Sequence, residues 1–189
     1  FRGCGASSGD FSLQGWVDDV AHALRFLSKT YHPSGIWVCG FGTGGTVGLV
    51  AAAADENVLG VAMAGSPADF DDWSRNSARL LAHAHQVGAI HTAAYPSNLV
   101  DWSAQLSTIK AEAAARALAP RSLFLRHGAD DNVVPQVEAR FLADAHGEAE
   151  LRVLSGAGHS LRHDPRAVAV LLGWLSRQLN SPTARRTSV

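Results

Sequence analysis

Ile36-Trp37-Val38-Cys39-Gly40-Phe41-Gly42-Thr43-Gly44-Gly45 is the stretch whose reading decides the fold of this chain. Four apolar residues in a row predict a strand of a parallel sheet covered on both faces, with Cys39 as a buried thiol. The run feeds directly into a glycine-rich turn, and the small residues 46–54 behind it predict a helix. Strand, tight turn and helix in succession form the local unit of an α/β sheet. Two kinds of site are built on such a turn. Gly40, Gly42 and Gly45 satisfy GxGxxG, a spacing that lets a pyrophosphate approach a helix N-terminus. That reading also needs an acid at the end of the second strand, about 20 residues on. The second strand instead ends in Met63-Ala64-Gly65-Ser66, and the next acid, Asp69, lies beyond Pro67. The second reading is the GxSxG elbow, a strand-to-helix turn that displays its middle residue. Gly40 and Gly44 match its flanks, and Gly42 holds the displayed position.

Working outward, residues 1–11 are rich in Gly and Ser without a period and read as a loop. From Trp16, the positions Val17, Val20, Ala21, Leu24 and Leu27 share one helical face. Pro33, Ser34 and Gly35 mark a turn before the decisive strand, and residues 58–63 form the next one. Residues 69–120 break the alternation with Trp73, Trp102 and two helical patches, so they read as a small helical cap inserted into the sheet. In the second patch Leu106, Ile109 and Ala113 are expected to face one way. Strands are then predicted at 122–126 and 151–154. Between them lies a helix opened by Pro135 and lined by Val137, Phe141, Leu142 and Ala145. A last helix from Arg166 places Val168, Leu171, Leu172, Leu175 and Leu179 on one stripe. The expected architecture is an α/β, mostly parallel sheet with helices on both faces, spanning 1–181, with a polar, frayed tail over 182–189.

Bulk properties narrow the function. The 189 residues suit one domain, and the net charge of −1 gives no field for nucleic acid or an anionic membrane. No apolar stretch approaches membrane-spanning length. The two cysteines, Cys4 and Cys39, form no CxxC pair, which argues against a secreted disulfide scaffold. His83 and His85 lie two apart with no carboxylate or Cys nearby, a poor metal pair. These features predict a cytoplasmic protein with no cofactor and no metal. The chain opens on Phe1-Arg2-Gly3, in the manner of a loop already in progress.

Four landmarks, each at a strand's C-terminal end, resemble the α/β-hydrolase superfamily. They are the turn Phe1-Arg2-Gly3-Cys4-Gly5-Ala6-Ser7, the elbow Gly40-Phe41-Gly42-Thr43-Gly44, the acid loop His127-Gly128-Ala129-Asp130-Asp131-Asn132-Val133-Val134-Pro135, and the histidine loop Gly156-Ala157-Gly158-His159. Their order, nucleophile position then Asp then His, is that fold's order. The resemblance covers nearly the whole chain and is closest to dienelactone-hydrolase-like and serine-aminopeptidase-like serine hydrolases. It implies a partial hydrolase fold lacking the family's first strands. Without them the all-apolar strand at 36–39 would be an open edge, to be covered by about 50 further N-terminal residues or by another copy of the chain, because exposed edges template aggregation.

The resemblance also assigns roles. His159 becomes the general base, with His163 its nearby competitor, and Asp131 the carboxylate that fixes its tautomer, with Asp130 as its neighbour. Thr43 supplies a backbone N–H to the oxyanion hole. Phe41, Ser66, Phe70, Trp73 and Trp102 are expected to line the substrate pocket, with cap core the competing role for the aromatic residues of the insertion. Gly42 stands where the family has its serine and offers no atom for attack. Thr43 lies one residue too far on to replace it, and Cys4 is the other nucleophile by type. Two functions follow: hydrolysis of small-molecule esters or amides by acyl transfer without the serine, or a non-catalytic homologue that binds an acyl compound or a protein.

Overall fold

Ser12 opens the first helix, its hydroxyl accepting the Gly15 N–H at 3.1 Å, so one of the unpaired N–H groups of the first turn is satisfied. The structure, a computed structural model, describes residues 1–180. The tail read at 182–189 lies outside them. In chain order the elements are α1 (Leu13–Tyr31), β1 (Ile36–Phe41), α2 (Thr43–Ala53), β2 (Val58–Ala64), α3 (Asp71–Arg75), α4 (Ser77–Gln86), α5 (Leu99–Leu106), α6 (Ala111–Leu118), β3 (Ser122–Gly128), α7 (Gln136–His146), β4 (Glu150–Leu154) and α8 (Pro165–Asn180). A short 3₁₀ turn, Leu161–His163, precedes α8. The four strands lie in the order β1-β2-β3-β4, and every pairing is parallel.

Alternation along the strands sends Val61, Met63, Leu123 and Leu125 into the larger core with residues of α1, α2, α6 and α7. Ala62 and Phe124 face the other way and meet Trp174 of α8, whose ring stacks on Phe124 at 5.5 Å. Such a pair contributes about 0.5–1.5 kcal/mol beyond its buried area. Helices therefore cover both faces, as expected. Arg121, just before β3, locks the C-terminus of α2. Its Nη1 donates to Ala52 O, Asp55 O and Val58 O, and its Nη2 to Ala53 O. Ala52 O and Asp55 O also accept the backbone N–H groups of Asp55 and Val58, so the guanidinium gathers the end of α2, the turn after it and the start of β2 onto one side chain.

Several expectations need correction. Cys39 is exposed because β1 is the sheet's edge, and α8 sits over β2 and β3. The face of α8 against the sheet is set by Ala167 and Trp174, with Val170, Leu171 and Leu175 beside them. Val168, Leu172 and Leu179 are exposed. In α7, Ala139 and Leu142 are buried while Val137 and Phe141 face solvent. Leu27 is exposed at the outer edge of the α1 stripe. Ile109 is buried but lies before α6 begins, so Ala113 does not continue its face. Within 69–120 the helices divide. α3, α4 and α5 pack on one another, whereas α6 packs on α2 and α7 over the sheet.

Candidate active site

The sheet's C-terminal edge brings three loops together. At the end of β1, Gly42 adopts φ 54° and ψ −133°, a region that side-chain-bearing residues rarely enter, and its N–H donates to Ala64 O at 2.9 Å. Glycine makes the turn without strain, so the elbow shape needs no side chain at position 42. Thr43 begins α2, whose first N–H groups have no intrahelical acceptor, and Gly42 offers no capping side chain. The positive end of the helix dipole thus faces the site.

After β3 the chain turns so that Asp131 Oδ1 accepts the N–H groups of Val133 and Val134, both at 2.9 Å. Asp131 Oδ2 accepts Nδ1–H of His159 at 3.0 Å, from the loop that follows β4. Burial of the carboxylate raises its pKa, but the donors Val134, His159 and Val133 outweigh it and hold the acid below the ordinary Asp value. Asp130 instead uses its backbone, donating to Ala157 O at 2.9 Å, with its side chain in solvent. His163 lies in the 3₁₀ turn and accepts from Arg162. The geometry therefore pairs Asp131 with His159 and leaves their neighbours aside.

With its Nδ1 engaged, His159 presents Nε2 towards Gly42. A Cβ built on Gly42 would stand 3.8 Å from that nitrogen and meet no other atom within contact distance. A cavity of about 180 Å³ lies there, lined by Phe41, Gly42, His159, Ser160 and Arg162. Ser160 and Arg162 were not foreseen. Their closeness in sequence to His159 was the available signal, since a loop that delivers a base also delivers its neighbours. Gly65 closes the site from beneath. At φ 55°, a Cβ on it would lie 3.3 Å from Asp131 Oδ2 and 3.4 Å from His159 Nδ1.

The other expected pocket residues lie elsewhere. Ser66 is buried against Gly45 in the first turn of α2, and its hydroxyl lies 3.4 Å from Ala64 O. Phe70 and Trp102 are buried, and both they and Trp73 belong to an aromatic cluster with Phe11. Phe70 and Trp102 lie in the core of the inserted helices, the competing role given to them above, whereas half-buried Trp73 also borders a hollow along α3 and α4. Cys4 lies in the N-terminal turn and does not line the cavity beside His159. A larger hollow of about 760 Å³ runs along α3 and α4, but neither His159 nor Asp131 borders it. Among the described residues, no three His, Cys, Asp or Glu side chains cluster as metal ligands, and no helix is long and apolar enough to cross a membrane.

No protein-family model matches the chain, and no curated protein matches it in sequence. Solved structures do match in fold. Est1E from Butyrivibrio proteoclasticus is 16% identical with a TM-score of 0.69, over 91% of this chain and 73% of that one. An esterase from Pyrococcus furiosus is 19% identical with a TM-score of 0.67, over 94% of this chain and 68% of that one. The esterase domain of a Rhodothermus marinus protein is 24% identical with a TM-score of 0.60, over 90% and 72%. An alpha/beta hydrolase from a Penicillium species is 18% identical with a TM-score of 0.67, over 95% and 75%. With its parallel sheet, its glycine elbow and its Asp131–His159 pair at the strand ends, the chain has the α/β-hydrolase fold.

Proposed function

We propose that the protein hydrolyses ester or amide bonds of small molecules, with His159 activating water in place of a serine. One observation carries this reading: Nε2 of a histidine already oriented by a buried carboxylate faces a space that Gly42 leaves unfilled. A water there donates its proton to Nε2 while its oxygen attacks the carbonyl carbon. The Thr43 N–H supports the oxyanion, at the helix end best suited to negative charge. Collapse of the tetrahedral intermediate breaks the bond to the leaving group, which takes the proton back from His159. The products are a carboxylic acid and an alcohol or amine. Asp131 keeps the imidazole in the tautomer that leaves Nε2 free to accept.

In this reading α3, α4 and α5 act as the cap over the substrate, and α6 belongs to the sheet's own covering layer. The two free cysteines suit the cytoplasm. Gly42 itself favours one other function, a binding protein that holds an acyl compound without cleaving it. The test is turnover of short-chain activated esters by the parent, His159→Ala and Gly42→Ser. Parent turnover that vanishes in His159→Ala supports the water mechanism. A silent parent with an active Gly42→Ser variant supports the binding reading, and silence in all three rejects the site.

A further inference from the structure

His127, the penultimate residue of β3, has no part in the chemistry described above, yet its ring is fully buried behind the acid loop. Its Nε2 lies 2.9 Å from Val134 O, so the carbonyl places the ring proton on Nε2. Val134 in turn donates its own N–H to Asp131 Oδ1 at 2.9 Å. The same Nε2 lies 3.4 Å from Asp131 Oδ2, the oxygen that accepts from His159. The other ring nitrogen, Nδ1, is buried with no hydrogen-bond partner among the described residues. All the polar hold on this ring is therefore on one edge, directed at Val134 and Asp131.

We infer that His127 is a positioning residue, which holds Val134 and the Asp131 carboxylate in the one arrangement that orients His159. The inference rests on the Asp131–His159 pairing proposed above. The logic is a chain of grips: a buried strand residue holds the Val134 carbonyl, Val134 holds Oδ1, and Oδ2 is left aligned for His159. An apolar filler of the same volume would pack the cavity but release Val134, because a carbonyl without its donor moves to find another. Glu138 is engaged by the Ala68 N–H at 2.7 Å, whereas Asp131 Oδ2 lies 3.4 Å from His127 Nε2. Asp131 is thus the carboxylate that His127 directs.

The experiment follows the hydrogen-bonded Nδ1–H proton of His159 by NMR in the full chain, with Asp131→Asn as the reference for a broken pair. His127→Gln keeps an N–H near the place of Nε2, while His127→Phe and His127→Asn remove it. In the two variants without the donor, the Nδ1–H proton is expected to exchange at least about tenfold faster, towards the Asp131→Asn rate, and in His127→Gln to stay within about twofold of the parent. A folded Phe or Asn variant with parental exchange overturns the inference, and so does a Gln variant that exchanges as fast as Asn. If the Phe variant fails to fold, the Asn and Gln pair decides. Because this readout needs no turnover, an inactive parent rejects the proposed hydrolysis and leaves the positioning role standing. Parental exchange in an active protein does the reverse.

Discussion

Replacing Gly42 with serine probes the whole site with one side chain. The backbone there, at φ 54° and ψ −133°, disfavours any Cβ, a strain of about 1–3 kcal/mol. Loss of glycine's freedom in the unfolded chain offsets about 0.4–1 kcal/mol of it. The new Cβ meets only His159 Nε2, at 3.8 Å, so no clash is added. The net cost is at most about 2.6 kcal/mol, or at most about 10 °C in Tm for a chain of this size. From that Cβ, a bond of about 1.4 Å directed at Nε2 brings Oγ within hydrogen-bond reach of it, the contact that joins a nucleophile to its base. The variant should gain turnover on p-nitrophenyl acetate of the order of 10²–10³ over the parent. It should also take up one equivalent of a fluorophosphonate by intact mass, and lose both properties when His159→Ala is added. A Gly42→Ser protein that melts cooperatively within about 10 °C of the parent yet neither labels nor turns over would refute the reasoning, because the fold would be intact and the assigned base absent.

Three other outcomes are expected. Gly65→Ala places a Cβ 3.3 Å from Asp131 Oδ2 at a left-handed φ, so it should cost about 2–3 kcal/mol in urea melting and depress any turnover more than tenfold; a parental midpoint would contradict it. Asp131 has a lowered pKa in the folded chain, so its ionised form adds stability that is complete above the ordinary carboxylate pKa and is given up as the pH falls through the lowered value. The Tm gap between the parent and Asp131→Asn should therefore be widest near neutrality and close on acidification below about pH 4, and a constant gap down to pH 3 would count against the pairing. Arg121→Met leaves Ala52, Ala53, Asp55 and Val58 carbonyls without their shared donor and should cost about 2–4 kcal/mol, measured by denaturant unfolding.

The order of the sheet's elements was legible because β1 and β2 are short apolar runs that end at Gly42 and Gly65, and β3 and β4, which carry Arg126, His127, Glu150 and Arg152, still stand as short segments between a turn and a helix or glycine loop. Which face a helix buries was less legible. In α8 a leucine stripe of helical period is written plainly in the sequence, but Trp174 is the largest side chain in reach of Phe124, and its stacking turns the helix so that Leu172 and Leu179 face water. Cys39 failed for a different reason. Four apolar residues predict burial only if the strand has neighbours on both sides, and β1 lies at the edge of the four-stranded sheet. The division of 69–120 was hidden too, since α6 is as alanine-rich as any surface helix, and only its packing on α2 and α7 marks it as part of the sheet's covering layer.

At the site, motif spacing points to the acid and histidine loops and favours Asp131 over Asp130, its neighbour in the same turn, but spacing carries no physical reason for the preference. The choice is made by backbone direction: the N–H groups of Val133 and Val134 point at Asp131 alone, and they overcome a burial that would otherwise favour its neutral form. His127 was read only as a letter of the acid-loop motif, because a buried ring and its contact with a carbonyl seven residues on have no sequence pattern of their own. The aromatic residues admit either role from sequence, pocket wall or cap core; Phe70 and Trp102 are buried in the cluster around Phe11, while Trp73 both joins that cluster and borders the hollow along α3 and α4. What these cases share is that the elbow, the carboxylate clamp and the histidine's aim are carried by backbone, that of Gly42 included, and by buried side chains around it, none of which needs a side-chain atom from residue 42. A glycine there supplies the framework's backbone and offers no side-chain atom for attack. That is why one added hydroxyl is expected to change the chemistry of this protein far more than its fold.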